Sequence, residues 1–277
     1  MNSPENKNLI KGAFFNKYTL NYFNDDKCIG ANIISGWYEP YETSLLLSNI
    51  DSGDIIIDVG ANIGYYTIIF ADKVGPSGKV YAFEPDPANF SLLKKNIEEN
   101  KLYNIEAVNG ALGSRIGSSD LYISWDNYGD HRLYQDQDNY MDLRLYKNEK
   151  ARNHIKVKCD TLDNYLFRNN IDDRKIKLIK IDTQGYEPYV IEGAKNTICK
   201  NKPIVFLEYW SFGFKNSGGN GDAMFEYLKK EYGGIYFIDE NNKKAFKTDR
   251  EYVNEYCMQY EGTMHCNLLC KNENIIK

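Results

Sequence analysis

The sequence predicts an α/β fold: a seven-stranded, mostly parallel sheet with an antiparallel edge hairpin and helices on both faces. Three observations lead there. Apolar runs of strand length alternate with segments of helical period along most of the chain. The run Asp54-Ile-Ile-Ile-Asp58-Val-Gly60-Ala61-Asn62-Ile-Gly64-Tyr-Tyr reads as strand, glycine-rich turn and helix. Two later strands close on acids, Glu84 and Asp182, at the carboxyl ends where open parallel sheets bind ligands.

Residues 1–50 read as an N-terminal cap, with Phe14-Phe15 and Tyr22-Phe23 as aromatic clusters. Pro40 cannot sit deep in a helix, so Thr43–Ile50 is the expected helix, stopped by Asp51-Ser-Gly53-Asp54. One elaborated domain, 51–277, follows. Ile55–Val59 is four apolar or β-branched residues around an acid, suited to a strand buried on both faces. Tyr65–Val74 is the first helix, Val80–Glu84 the second strand, Pro87–Asn100 a helix with Phe90, Leu93 and Ile97 on one side, and Ile105–Asn109 the third strand. The alternation breaks from about 114 to 154, a polar and aromatic insertion centred on Trp125 and His131. Long excursions at strand ends carry specificity, and a solvated loop is the competing reading. Order resumes at Ile155–Cys159, with a helix cap in Asp160-Thr-Leu-Asp163. Ile176–Asp182 is a strand, Thr183–Glu187 a turn, Pro188–Lys195 a helix and Lys202–Tyr209 the fifth strand. A helix at Asp222–Tyr232 and strands at Gly234–Asp239 and Met264–Cys270 complete seven strands, the last two forming the edge hairpin.

The glycine turn defines a ligand class. Gly60 and Gly64 remove Cβ atoms that would block an adenosyl group, and Glu84, twenty residues beyond Gly64, stands where such folds bind a ribose diol. Neither G-x-G-x-x-G nor a Walker loop is present. An acid at Asp58 repels phosphate and suits a cationic amino acid, so S-adenosylmethionine fits better than a dinucleotide. The bland alternative is a buried turn without ligand.

The 277 residues are 42% hydrophobic, enough for one full core. A formal charge of −5 argues against nucleic acid or an anionic membrane surface as partner, leaving a small-molecule or glycan acceptor. The polar start Met1-Asn-Ser-Pro-Glu-Asn-Lys and the lack of any apolar run near the ~18 residues of a bilayer span predict a cytoplasmic protein with no membrane span. The six cysteines form no CxxC pair. His265-Cys266 and Cys270 are conceivable zinc ligands, but Cys266, Leu268 and Cys270 alternate as one buried strand face, so no metal is expected.

Tyr38-Glu39-Pro40-x-Glu42, Gly53-Asp54-x-x-x-Asp58-Val-Gly60-Ala61-Asn62-Ile-Gly64, Phe83-Glu84-Pro85 and Lys180-Ile-Asp182-x-x-Gly185-x-Glu187 together resemble the FkbM-type S-adenosylmethionine-dependent methyltransferases, from Gly36 to Cys270. The resemblance implies a Rossmann-like methyltransferase fold and O-methylation of sugars, glycolipids or other small molecules. It also implies that Asp58, Gly60, Ala61, Asn62 and Gly64 line the methionine end and Glu84 holds the ribose, while Asn109, Gly110 and Ala111 flank adenine, with Glu42 of the first motif among the cofactor-binding residues. Gln184 departs from the glutamate common in the family.

A hydroxyl acceptor needs a base within hydrogen-bond reach, and His131, Asp182 and Glu208 are the candidates, His131 narrowly ahead. Asp182 reads equally as an N-cap, Glu187 as a cap or a partner for Lys180, and His131 as a solvated loop histidine. The competing readings are a nucleic-acid or protein N-methyltransferase and a cofactor-binding protein without transfer activity.

Overall fold

The computed structural model describes residues 8–26, 28–36, 38–124, 127–135, 152–259 and 264–272. The chain start before Asn8, Trp37, Trp125 and the middle of the expected insertion (136–151) lie outside the described residues. In chain order the strands are β1 (Leu9–Phe14), β2 (Tyr18–Phe23), β3 (Ile55–Val59), β4 (Lys79–Glu84), β5 (Ile105–Asn109), β6 (Ala111–Leu112), β7 (Gly117–Tyr122), β8 (His154–Asp160), β9 (Ile176–Ile181), β10 (Ile204–Tyr209), β11 (Ile235–Asp239), β12 (Lys244–Lys247) and β13 (Cys266–Cys270).

The central sheet runs β12-β11-β13-β10-β9-β3-β4-β5. All seven expected strands are in it. β5, β4, β3, β9 and β10 are mutually parallel, as βαβ crossovers demand, and the helices cover both faces. This is the Rossmann-like sheet that the sequence predicts. Chain order reverses at β3, with β4 on one side and β9 on the other, so the carboxyl ends of β3 and β9 frame a switch-point crevice. Successive β3 side chains enter opposite cores: Ile56 packs with Ile68, Val80 and Leu178, whereas Ile57 and Val59 pack with Ile179, Val190 and Leu207.

The antiparallel edge differs in detail from a hairpin. β13 is inserted between β10 and β11, antiparallel to both, and an eighth strand, β12, forms the edge. A helix at Arg250–Cys257, capped by Asp249 on the Tyr252 N–H, separates β12 from β13. Both were illegible because β12 is a four-residue Lys-Ala-Phe-Lys and the helix buries only Val253 and Cys257. The stretch from 155 does not join the main sheet: β8 pairs with β6 and β7 in a separate three-stranded sheet that claims the first part of the expected insertion.

Tyr65–Val74 is helical as expected, and Pro87–Glu99 is capped by Asp86, which accepts the Ala88 and Asn89 N–H groups at 2.9 and 2.8 Å. The first-half helix starts at Pro40 rather than Thr43, proline being tolerated at the first position. The β1–β2 hairpin docks on helix Pro87–Glu99 through Asn96. Its Oδ1 accepts from Asn21 N at 2.7 Å, and its Nδ2 donates to the carbonyls of Asn21 and Ile63. Asn96 thereby ties the N-terminal hairpin to the glycine turn. No helix among the described residues is long and apolar enough to cross a membrane.

Candidate active site

The turn after β3 is held by backbone. Gly60 and Ala61 both donate to the Phe83 carbonyl at 3.0 Å. Gly60 has φ 78° and a Cβ there would lie 1.8 Å from the Asp182 carbonyl oxygen; Gly64 has φ 100°, and its Cβ would meet Leu93 Cδ1 at 2.8 Å. The contacts these glycines avoid are thus within the protein, where β3 meets β9 and the helix N-terminus meets its neighbour, rather than the adenosyl contact inferred from sequence. Asn62, left-handed at φ 51°, donates its N–H to Glu84 Oε2 at 2.8 Å and its Nδ2 to the Tyr128 carbonyl at 3.0 Å.

Glu84 is buried at the tip of β4, its other oxygen accepting Asp86 N–H at 2.8 Å. Burial pushes its carboxyl up to about 8, with Asp86 adding repulsion and the two N–H donors opposing. Each oxygen retains a second lone pair for a diol. Gly110, Ala111, Leu121 and Leu133 wall the cleft beside it. Asn109 turns away, its amide donating to the carbonyls of Glu84 and Pro85 at 2.9 and 3.2 Å.

Asp58 does not line the cleft. It is fully buried under the turn, where Thr67 Oγ1 donates to Oδ2 at 2.5 Å and Lys180 Nζ stands 3.6 Å from Oδ1. Burial raises its carboxyl above the ordinary value, outweighing Lys180 and Thr67. Lys180 is the hub: its Nζ is also 3.4 Å from Asp182 Oδ2, 3.4 Å from the Gly60 carbonyl and 5.1 Å above the Tyr66 ring. Burial works against its charge, but Asp182 and Asp58 hold the ammonium proton more firmly than in an ordinary lysine. Glu42 is likewise behind the cleft, accepting Asn267 Nδ2 at 2.7 Å.

Across the crevice the turn after β9 is left-handed at Gln184 and Gly185. Glu187 clamps it, accepting the N–H groups of Thr183 at 2.7 Å and Gly185 at 3.0 Å; it makes no bridge to Lys180. Asp182 is not an N-cap, because the helix Glu187–Glu192 begins at Tyr186 without a side-chain cap. Instead Gln184 Nε2 donates to both Asp182 Oδ1 at 3.0 Å and Glu208 Oε2 at 3.2 Å. Glu208 ends β10, and burial followed by repulsion from Asp182 drives its carboxyl well above the ordinary range. His265 Nε2 lies 3.7 Å from Glu208 Oε1. His131 reaches the same cleft from the 127–135 segment, its Nδ1 accepting the Ser124 N–H at 3.1 Å.

Among the described acidic, basic and imidazole side chains of the cleft, three were absent from the sequence candidates: Glu39, Lys180 and His265. Glu39 and Lys180 stood inside quoted motifs, whereas His265 was marked only as a conceivable zinc ligand beside a cysteine strand. Cys266 and Cys270 pack in the core, and among the described residues no group of three or more His, Cys, Asp or Glu is arranged to hold a metal.

S-adenosylmethionine fits these residues on two counts. Glu84 is oriented by two backbone donors as a diol acceptor beside small apolar walls, and the β9 side is rich in carboxylates but has Lys180 as the one Lys or Arg among the described lining residues. A ligand bearing positive charge relieves that imbalance.

The Methyltransferase FkbM domain model matches residues 58–236, well over half of the chain. A methyltransferase of Sordaria araneosa, sdnD, is 27% identical over 180 residues, covering 59% of this chain and 69% of that protein. The 2-O-methyltransferase NoeI of Sinorhizobium fredii is 26% identical over 162 residues, covering 56% of this chain and 63% of that one. Among solved structures, an FkbM methyltransferase from Methylobacillus flagellatus superposes with TM-score 0.45 at 16% identity, over 79% of this chain and 44% of that chain. With the glycine turn, the backbone-held Glu84 and the family match in agreement, the chain belongs to the FkbM methyltransferase family, and S-adenosylmethionine is its methyl donor.

Proposed function

We propose that the protein O-methylates a neutral, sugar-like hydroxyl acceptor, with Glu208 taking the proton. The observation that carries this reading is the Asp182–Gln184–Glu208 bridge at the crevice, with His265 beside it. S-adenosylmethionine supplies a methyl group on a positively charged sulfur; the protein has to aim the acceptor oxygen and accept its proton. Glu208 suits the second task because burial and the neighbouring Asp182 raise its proton affinity above that of an exposed glutamate, which makes its carboxylate the stronger base. His131 suits it less. An imidazole accepting at Nδ1 carries its proton on Nε2, so taking another would break the Ser124 bond. It serves better as a donor to the acceptor's ring or hydroxyl oxygens.

Asp182 holds Lys180 and Gln184 in place. A glutamate at 184 would set a third carboxylate against Asp182 and Glu208, so the amide is the residue that lets these two stand together. The acid-rich crevice disfavours phosphate-bearing acceptors. The related NoeI is itself named a 2-O-methyltransferase. The segment 127–135 roofs the cleft, with Tyr134 OH donating to the Gln184 carbonyl at 3.0 Å and Arg132 lying 4.9 Å over Trp210, and we assign acceptor selection to it. The test is transfer of labelled methyl from S-adenosylmethionine to a panel of neutral saccharides and glycolipids, with RNA and protein amines as controls. Label appearing only in the amines or the RNA would overturn the reading.

A further inference from the structure

We propose that Glu39 is the counterion for the α-ammonium of bound S-adenosylmethionine. The placement is geometric. Glu84 and the β5 end lie on one side of the Gly60 turn, and Glu39, Tyr66 and Lys180 line the cleft on the other. With the ribose at Glu84, the amino-acid portion of the donor has to cross the turn toward β9 and meet this group.

The charge balance there is incomplete. Lys180 is within ion-pair distance of Asp58 and Asp182. Glu39 has a neutral partner, the Tyr66 hydroxyl, which donates to its Oε2 at 2.7 Å. Burial and the nearby Asp182 push its carboxyl up to about 7, with Tyr66 and Lys180 only partly offsetting them. A cation arriving with the ligand supplies what the protein leaves out, a charge-assisted hydrogen bond in a partly desolvated site.

The backbone is built to hold the carboxylate there. Glu39 is left-handed, φ 45° and ψ 50°, at the N-cap of helix Pro40–Ser48, and its side chain makes no cap bond. The helix N-terminus is instead satisfied by Glu240, whose two oxygens accept the N–H groups of Tyr41 and Glu42 at 2.7 and 2.9 Å. A capping carboxylate is thus imported from after β11, and Glu39 is turned into the cleft. Strain of this kind, about 1–3 kcal/mol for a non-glycine residue, persists only where the surroundings fix it.

The assignment does not depend on the acceptor, so it can be tested by binding alone. Calorimetry compares wild type and Glu39→Gln with three ligands: S-adenosylmethionine, S-adenosylhomocysteine, which keeps the ammonium but has no sulfonium charge, and 5′-methylthioadenosine, which has neither. The expected result is a loss of about tenfold or more for the first two, by similar factors, with methylthioadenosine changed less than about twofold. Tyr66→Phe, which leaves the carboxylate but removes its hydroxyl partner, should retain the preference for the ammonium-bearing ligands and keeps the test open should the first variant fold poorly. A loss much larger for S-adenosylmethionine than for S-adenosylhomocysteine would assign Glu39 to the sulfonium and overturn the proposal. Equal losses for all three ligands, or none, would overturn it as well.

Discussion

The two sides of the crevice are built in different ways. On the donor side, β3, its turn, helix Tyr65–Val74 and Glu84 come from one stretch of thirty residues, and their contacts are largely backbone: Gly60 and Ala61 on Phe83, Asn62 on Glu84. On the side assigned above to the acceptor, Gln184, Glu208 and His265 come from three separate segments and meet through side chains, and His131 reaches the same cleft from a fourth. The donor side is therefore fixed by local geometry, and the acceptor side can change one residue at a time.

The comparison can be broken at several points. The largest effect is expected beneath the donor turn: Asp58→Ala leaves Lys180 buried beside Asp182 alone and should cost about 3–5 kcal/mol in urea unfolding. A loss below about 1 kcal/mol would mean the turn does not rest on this pair. On the acceptor side, Glu208→Gln should slow methyl transfer about 100-fold or more while S-adenosylmethionine affinity stays within about threefold. An equal fall in both would erase the distinction between the two sides. Glu84→Ala should do the reverse, weakening the donor about 10- to 100-fold by calorimetry; unchanged affinity in a folded variant removes Glu84 from the site. His131→Ala should lower the rate by no more than about tenfold with donor affinity intact, and complete loss of transfer would return the base to His131.

The last effect is on stability against pH. Glu39 and Glu84 are raised to about 7 and about 8 from an ordinary 4.5, so the folded state binds their protons more tightly than the unfolded chain. Their contribution is fully present below about pH 4.5 and is lost as pH rises through 7 and 8. The melting temperature of the ligand-free protein should fall between pH 5 and 8.5, and Glu84→Gln should flatten the upper part of that fall. A rise over the same interval would contradict both shifts.

The donor side was legible because its signals are contiguous. Strand period, glycine turn, helix and acid follow one another, and Ile105–Asn109 and Tyr65–Val74 fall where the pattern puts them. Legibility failed where the decisive contact is remote. Asp58 reads as a cleft acid because it precedes the turn, yet strand alternation aims it at Thr67 in the following helix. The single helix expected at Pro188–Lys195 breaks at Gly193, where a Cβ would lie 2.0 Å from the Gly113 carbonyl oxygen. No local pattern states which strands β13 will separate, so neither its position nor the meeting of His265 with Glu208 is written in the sequence near either residue.

That threaded strand also bears on how the molecule is made. β10 and β11 each present an edge that β13 alone fills, and β13 is the last of the thirteen to leave the ribosome. Until then two hydrophobic strand edges are open to misfolding partners. Because β13 also delivers Asn267 to Glu42 and is preceded directly by His265, completion of the crevice wall and protection from aggregation arrive in the same closing step. A nascent chain halted before residue 266 should be captured by chaperones rather than accumulate as a slow enzyme.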